Sequence, residues 1–385
     1  MKNILRHMRN KMIAPMILES TKMQNEFAAL RRDYLDLCEK MDAHNRDIDN
    51  RLENINKKLD LYSLQIYRSN DESNFYAQKR LFRNIPEATG SLLLYQSVNS
   101  ALLKKLTEFC DNYNLDYWLW CGSLIAAVGR NKAIPWDDDI DICMMRSDFK
   151  KLFDKVKNDK EYQITVVYDY LSKNRQYRFV SRNNDIFNCI DIVVCDWSTG
   201  SDLLLDKKYK DEVADFEQEL TDDSSIRHWN DAKYLFFGDS RFTYQPMQFD
   251  YNNGNISADN RTIKKIELLF NEFITHMIEI GIFCDAKNAK AVAYGPDNLF
   301  NNKNRKDLWD KNIIFPTHKI QYDGFLVRVP NREEEFCSIC YPGWPYVPDD
   351  ISSHSHIPTS VMEDYKTLEA MERFLSGPIN NPNNN

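Results

Sequence analysis

Trp118-Leu-Trp-Cys-Gly-Ser-Leu-Ile-Ala-Ala-Val128 and, after a short spacer, Ile134-Pro-Trp-Asp-Asp-Asp-Ile-Asp-Ile-Cys143 are the stretch on which the fold turns. The aromatic run Tyr117 to Cys121 has the composition of a short strand and ends at Gly122-Ser123, after which Leu124 to Val128 is helix-like. A glycine lets a phosphate approach the backbone, and the N–H groups that follow, with the Ser123 hydroxyl, can hold its oxygens. Asp139 and Asp141 stand two apart in a strand-like context. Both carboxylates are therefore expected on one face while Ile140 and Ile142 enter the other.

A third acid completes the pattern. Asp191 sits between Ile190 and Ile192 in another apolar strand segment, Cys189 to Cys195, where a charge is expensive unless it is paired or bound to a cation. Two carboxylates ~4 Å apart repel by about 4 kcal/mol at an effective dielectric of about 20. A divalent cation reverses that penalty, and ligands made only of oxygen point to Mg²⁺ or Mn²⁺ rather than zinc. Singly, a Gly-Ser is a common turn and an Asp-x-Asp a common solvated edge or calcium loop. All three in this order, each tied to an apolar strand, mark Asp139, Asp141 and Asp191 as catalytic and metal-binding residues.

Around this centre, strand and helix signals alternate. Leu92 to Tyr113 carries apolar residues at helical spacing, Ile140 to Met144 is β-rich, and Tyr162 to Tyr168 with Tyr177 to Val180 fill the space before Cys189 to Cys195. Arg261 to Ile280 is a second helix. An α+β domain with a mixed sheet flanked by helices is expected over 91–375. Asp71 to Gly90, polar and holding Pro86 and Gly90, is expected as a linker, and the Asn-rich 376–385 as a disordered tail. Residues 23–70 form a coiled-coil segment. Phe27, Leu30, Tyr34, Leu37 and Met41 follow the spacing of a and d positions, which resumes at Ile48, Leu52, Ile55, Leu59, Tyr62 and Ile66 after a stutter at His44. So narrow a strip needs a partner helix. Self-association is expected, against the alternative of one long helix folded back on its own domain.

Net charge is −8 with no strongly basic block, which excludes a polymeric nucleic-acid partner. With 43% apolar residues, including 7 Trp, 20 Tyr and 21 Phe, a sizeable core is assured. Nine cysteines, an odd number scattered through apolar runs, suit buried thiols in a reducing cytoplasm. The one CxxC pair, Cys337 and Cys340, lacks the partners of a zinc site and is expected to be structural, as are His354 and His356. No apolar run is long enough to span a bilayer. Residues 1–22 are basic, with Lys2, Arg6, Arg9 and Lys11. They are either a frayed start to the coiled coil or a peripheral contact with an anionic membrane face. The sequons at Asn255 and Asn260 matter only in a secretory compartment.

The order of Gly122-Ser123, Asp139-Ile-Asp141-Ile and Ile190-Asp191-Ile resembles the nucleotidyltransferase-fold superfamily. More narrowly, Ile134-Pro-Trp-Asp-Asp-Asp-Ile-Asp141 resembles the LicD family of phosphotransferases, related to fukutin. Phe315-Pro316, Gly324 to Pro330 and Tyr341 to Pro348 are similar to that family's C-terminal part, so the likeness runs over roughly 92–358. The resemblance implies a CDP-linked donor such as CDP-choline, a glycan hydroxyl as acceptor and CMP as leaving group. It makes Asp137 a further metal candidate and leaves Asp138 a solvated turn residue. The family's usual Gly-Ala-Val-Arg reads Ala126-Ala127-Val128-Gly129 here, which shifts the donor-phosphate role of its arginine to Arg130 or Lys132. Tyr341-Pro342-Gly343 likewise inserts a proline into the family's Tyr-Gly. Trp344, Tyr341 and Tyr346 are either loop packing, the simpler reading, or a cage for a quaternary ammonium. Two other functions share the motifs: transfer of NMP onto a sugar phosphate or protein, and a coiled-coil scaffold with an inactive site.

Overall fold

The computed structural model describes residues 71–169, 174–183, 185–223, 247–250, 260–297, 306–341, 343–344 and 362–377, with Ile48, Leu52, Ile55, Leu59, Arg68 and Ser69. The chain divides into two compact units, Met1–Ala77 and Gln78–Asn385. In the first, Ile48, Leu52, Ile55 and Leu59 are helical and exposed at the spacing read from the sequence. The rest of the expected coiled coil, the basic N-terminal segment, Asn255, Tyr346, His354, His356 and the tail from residue 378 lie outside the described residues.

Helix α1 (Asn74–Asn84) forms inside the segment expected as a linker. Its fully buried Phe82 explains why: the ring packs against the face of Gly129, where a Cβ would come within 2.6 Å of it. Helix α2 (Gly90–Asn112) follows, then strand β1 (Trp118–Trp120), helix α3 (Cys121–Arg130), strand β2 (Asp141–Met145) and helix α4 (Arg146–Val156). Strands β3 (Tyr162–Asp169), β4 (Asn174–Ser181) and β5 (Cys189–Ser198) come next, then helix α5 (Leu203–Asp222), strand β6 (Met247–Asp250) and helix α6 (Asn260–Glu279). The remainder holds β7 (Ala291–Ala293), β8 (Leu308–Asp310), α7 (Lys311–Ile314), β9 (His318–Tyr322), β10 (Phe325–Val329), α8 (Glu333–Cys340) and α9 (Tyr365–Ser376).

A curled mixed sheet organises these elements in the order β1-β2-β5-β4-β3-β6, with β7 and β8 added through the far end of β5. β2 and β5 are parallel and every other pairing is antiparallel. The parallel pair is apolar along most of its length, as a strand pair covered on both faces must be. The β3–β4 pair does not come between β2 and β5. It lies beyond β5, which leaves the two acid-bearing strands in direct contact. Helix α2 packs on β4 and β5, α4 on β2, β3 and β5, and α9 on α2.

Aromatic packing ties the later elements to β1. The buried Trp120 ring lies 4.9 Å from Trp309, 5.6 Å from Phe336 and 5.9 Å from Tyr341. Tyr341 and Trp344 therefore serve as core packing; the Trp344 ring lies 3.3 Å from where a Gly129 Cβ would stand. Asp323 and Gly324, both at positive φ, make the two-residue turn between β9 and β10, and glycine takes the second such position without a Cβ clash. None of the eight cysteines among the described residues is in a disulfide, and Cys337 and Cys340 are buried on α8. Among the described residues no helix is long and apolar enough to cross a membrane.

Candidate active site

Three chain segments meet at the start of β2. Cys121 turns the chain from β1 straight into α3 at φ +50°, a left-handed conformation that costs a residue with a Cβ roughly 1–3 kcal/mol. The helix thus begins one residue before the Gly-Ser pair, and Gly122 and Ser123 lie in its first turn. A Cβ on Gly122 would come within 2.5 Å of Asp137 Oδ2, so glycine is what lets the acidic loop close on this turn. The buried Ser123 Oγ accepts a hydrogen bond from the Asp141 backbone N at 2.9 Å, tying the head of α3 to the head of β2.

Asp141 and Asp191 are register partners across the parallel β2–β5 pair, and Asp191 N donates to Ile140 O at 2.9 Å. Asp191 in turn registers with Arg178 on β4, whose Nε donates to Asp191 Oδ1 at 2.8 Å. The Cys189 thiol reaches the same oxygen at 3.8 Å. Register partners project from one sheet face, so Asp141, Asp191 and Arg178 form a row across three strands. Asp139 departs from the sequence expectation, since it precedes β2 in a segment without regular structure rather than lying within the strand. The turn at Pro135-Trp136 accounts for this, because it holds the chain away from the ladder until Ile140.

Electrostatics single out Asp141. Burial first, then the charges of Asp139, Asp191 and Asp137, push its carboxyl well above the usual range, against a hydrogen bond from Cys121 that lowers it. Clustered negative charge on hard oxygen donors is the situation a divalent cation relieves. Among the described residues no three His, Cys, Asp or Glu side chains are grouped so as to hold an ion by themselves. A Mg²⁺-type ion suits such a place, because it is commonly carried by one or two carboxylates with substrate phosphates and water completing its shell.

Residues 114–235 match the family model described as LicD/FKTN/FKRP, nucleotidyltransferase domain. That segment, less than half of the chain, is similar to the LicD family. Among curated relatives, the lipopolysaccharide cholinephosphotransferase LicD of Haemophilus influenzae is 30% identical over 90 residues, 23% of this chain and 32% of the relative. An uncharacterized protein of Rickettsia typhi is 36% identical over 84 residues, 19% of this chain and 26% of the relative. Another, from Rickettsia prowazekii, is 31% identical over 104 residues, 27% of this chain and 34% of the relative. The chain thus spans about a third or less of the length of the curated relatives it matches.

Within the matched segment, the two basic candidates sit differently. Arg130 is buried, and its guanidinium donates to Phe82 O and Ile85 O, both at 3.1 Å, which anchors the end of α1. Lys132 is a third exposed and pairs with the still more exposed Glu87. A cleft lined by Glu87, Gln96, Ser100, Lys132, Tyr322 and Asp323 lies beside it, with Ser100 bonded to Asp323. The sequence reading missed Arg178. Its signal was a single guanidinium inside the apolar run Tyr177 to Val180, a place where a charge needs a partner. It missed also the amides Gln96 and Asn99, which reach the acidic loop from α2, and Asn188, which bonds to Asn99 from the approach to β5.

Proposed function

We propose that this chain transfers a phospho-alcohol group, such as phosphocholine, from a CDP-linked donor to a hydroxyl of a cell-surface or capsular glycan. The observation that carries the reading is the Asp141–Asp191 pair on adjacent parallel strands, beside the Gly122-Ser123 turn and inside the matched segment. The cholinephosphotransferase named among the relatives supports phosphocholine and a lipopolysaccharide-type acceptor.

Mg²⁺ or Mn²⁺ at Asp139 and Asp141, with Asp137 and Asp191 adjoining, would neutralise charge on the donor diphosphate. The first-turn N–H groups of α3 at Gly122 and Ser123 bind phosphate oxygen. Lys132, not Arg130, is the basic group assigned to the donor. A phosphate can displace Glu87 from an exposed ammonium, whereas the Arg130 guanidinium is buried against two carbonyls. The acceptor oxygen bonds to the phosphorus bearing the alcohol, the P–O bond to CMP breaks, and the hydroxyl proton passes to Asp191. Arg178 and Cys189 both address Oδ1 of that carboxylate, so Oδ2 is the oxygen assigned to the proton.

A CDP-linked donor and cysteines held outside disulfides among the described residues favour a cytoplasmic location. The exposed Ile48, Leu52, Ile55 and Leu59 support a homo-oligomer assembled through the coiled coil. Transfer of NMP is a second reading, favoured by the nucleotidyltransferase description of the matched domain. Incubation with a panel of CDP-linked alcohols, Mn²⁺ and sugar acceptors separates the two. CMP release with an acceptor heavier by the phospho-alcohol supports the first reading, and a nucleotide retained on the acceptor selects the second. No transfer together with no metal-dependent thermal shift by CDP or CTP would leave the scaffold reading instead.

A further inference from the structure

We infer that α2, which lies outside the segment matched to the LicD domain, is a positioning element of the active site. Its buried amides Gln96 and Asn99, with Asn188, set the distance between the loop of Asp137 to Asp139 and the strand of Asp191. The sheet itself cannot do this. The ladder between β2 and β5 begins at Asp141, with one further bond to Ile140 O, and residues 134–139 lie ahead of it. There the amides take over. Gln96 Nε2 donates to Ile134 O at 2.8 Å and to Asp137 O at 2.7 Å, and Asn99 Nδ2 donates to Asp138 O at 2.9 Å.

Asn99 is also the link to the other acid. Its Oδ1 accepts from Asn188 Nδ2 at 2.7 Å, and Asn188 stands three residues before Asp191 and donates again to Tyr95 O at 3.0 Å. Gln96 and Asn99 are three apart and so share one face of α2. All three amides are at least nine-tenths buried. Their partners on the acidic loop are backbone carbonyls, which no side-chain substitution can remove, so an apolar residue at 96 or 99 leaves buried acceptors unsatisfied. The chain of bonds runs without a break from Asp138, through Asn99, to Asn188 at the approach to β5, while Gln96 holds Asp137 to the same helix.

The catalytic consequence rests on the function proposed above, but the metal readout does not need it. The test compares Gln96→Met and Asn99→Ala with Thr107→Val. Thr107 is a buried residue of the same helix whose Oγ1 donates to Leu103 O at 2.9 Å and meets the Tyr117 hydroxyl at 2.6 Å. Loss of the clamp is expected to lower kcat by about 10- to 100-fold, the scale of a displacement of ~1 Å, with donor KM changed by less than about threefold. Mn²⁺ affinity of the full chain without donor, read by electron paramagnetic resonance, is expected to fall about 10- to 100-fold. At matched melting temperature, Thr107→Val leaves both within about twofold. Should Asn99→Ala not fold, Gln96→Met carries the comparison alone. If the α2 variants change Mn²⁺ affinity and kcat no more than Thr107→Val does, the positioning role is wrong. A wild-type chain that binds Mn²⁺ but releases no CMP from any donor would sink the proposed reaction alone, and the affinity comparison would still decide the clamp.

Discussion

Asp141→Asn is expected to abolish transfer and at the same time to stabilise the metal-free protein. The carboxylates of Asp141 and Asp191 project from adjacent strands about 4.8 Å apart. At an effective dielectric of about 20, two charges at that spacing repel by about 3.5 kcal/mol. Arg178, bonded to Asp191 at 2.8 Å, offsets part of this, and Asp137 and Asp139 add to it. A net relief of about 1–3 kcal/mol is expected at neutral pH, or a rise in Tm of roughly 2–6 °C. Asparagine keeps an acceptor for the Cys121 thiol and preserves the shape of the site. The pH dependence has a definite sign. Burial and neighbouring charge raise the carboxyl in the folded state, so its ionisation opposes folding above the folded-state pKa and is without effect below the unfolded value of about 4. The advantage of the variant should therefore be full at high pH and vanish below about pH 4. Melting curves in EDTA across that range, with transfer measured in parallel, provide the assay. Added Mn²⁺ should stabilise the wild type and leave the variant nearly unchanged. A variant that melts below the wild type in EDTA at neutral pH, or that keeps substantial turnover, would refute the account of this site.

Three further outcomes are expected. Gly122→Ala places a Cβ against Asp137 Oδ2, so kcat should fall by an order of magnitude or more while Tm changes little; unchanged turnover would show that the acidic loop need not close on this turn. Asp297→Asn should cost about 3–5 kcal/mol in urea unfolding, because the buried carboxylate serves both Arg146 and Arg175. Burial would raise the Asp297 carboxyl, but the two guanidiniums outweigh it and hold it low, so the wild-type advantage is present above about pH 4 and fades as pH falls through the folded-state value. Leu52→Glu combined with Leu59→Glu should convert an oligomer to monomer in sedimentation without altering Mn²⁺ affinity; an unchanged mass would remove the coiled coil as the interface.

Much of the site was legible in sequence because its signals were local. The apolar spacing gave α2, the parallel pair and α6 nearly to the residue, since alternation and helical period follow directly from which face is buried. The acids were visible because a charge inside an apolar strand needs an explanation. What could not be read was pairing across the sheet. That β2 and β5 are immediate neighbours, with β3 and β4 outside them, depends on long-range pairing that no short window records. The partners of Arg178 and of the amides were hidden for the same reason, as was the use of Arg130, whose partners lie more than forty residues earlier.

On the proposed reading, the carboxylates at the head of β2 and the donor's diphosphate would share the metal ion between them. A cage complete without substrate would hold its ion equally well before and after transfer and would gain nothing from the donor. On that reading, repelling carboxylates, one of them paired with Arg178, would bind an ion weakly until a diphosphate supplied the remaining oxygens. Donor and metal should then bind with positive cooperativity, and by reciprocity each must tighten the other by the same factor. Titration of Mn²⁺ with and without CDP measures that factor directly. Equal Mn²⁺ affinity in both titrations would mean that the nucleotide does not complete the shell, and that the ion, if bound, is held elsewhere.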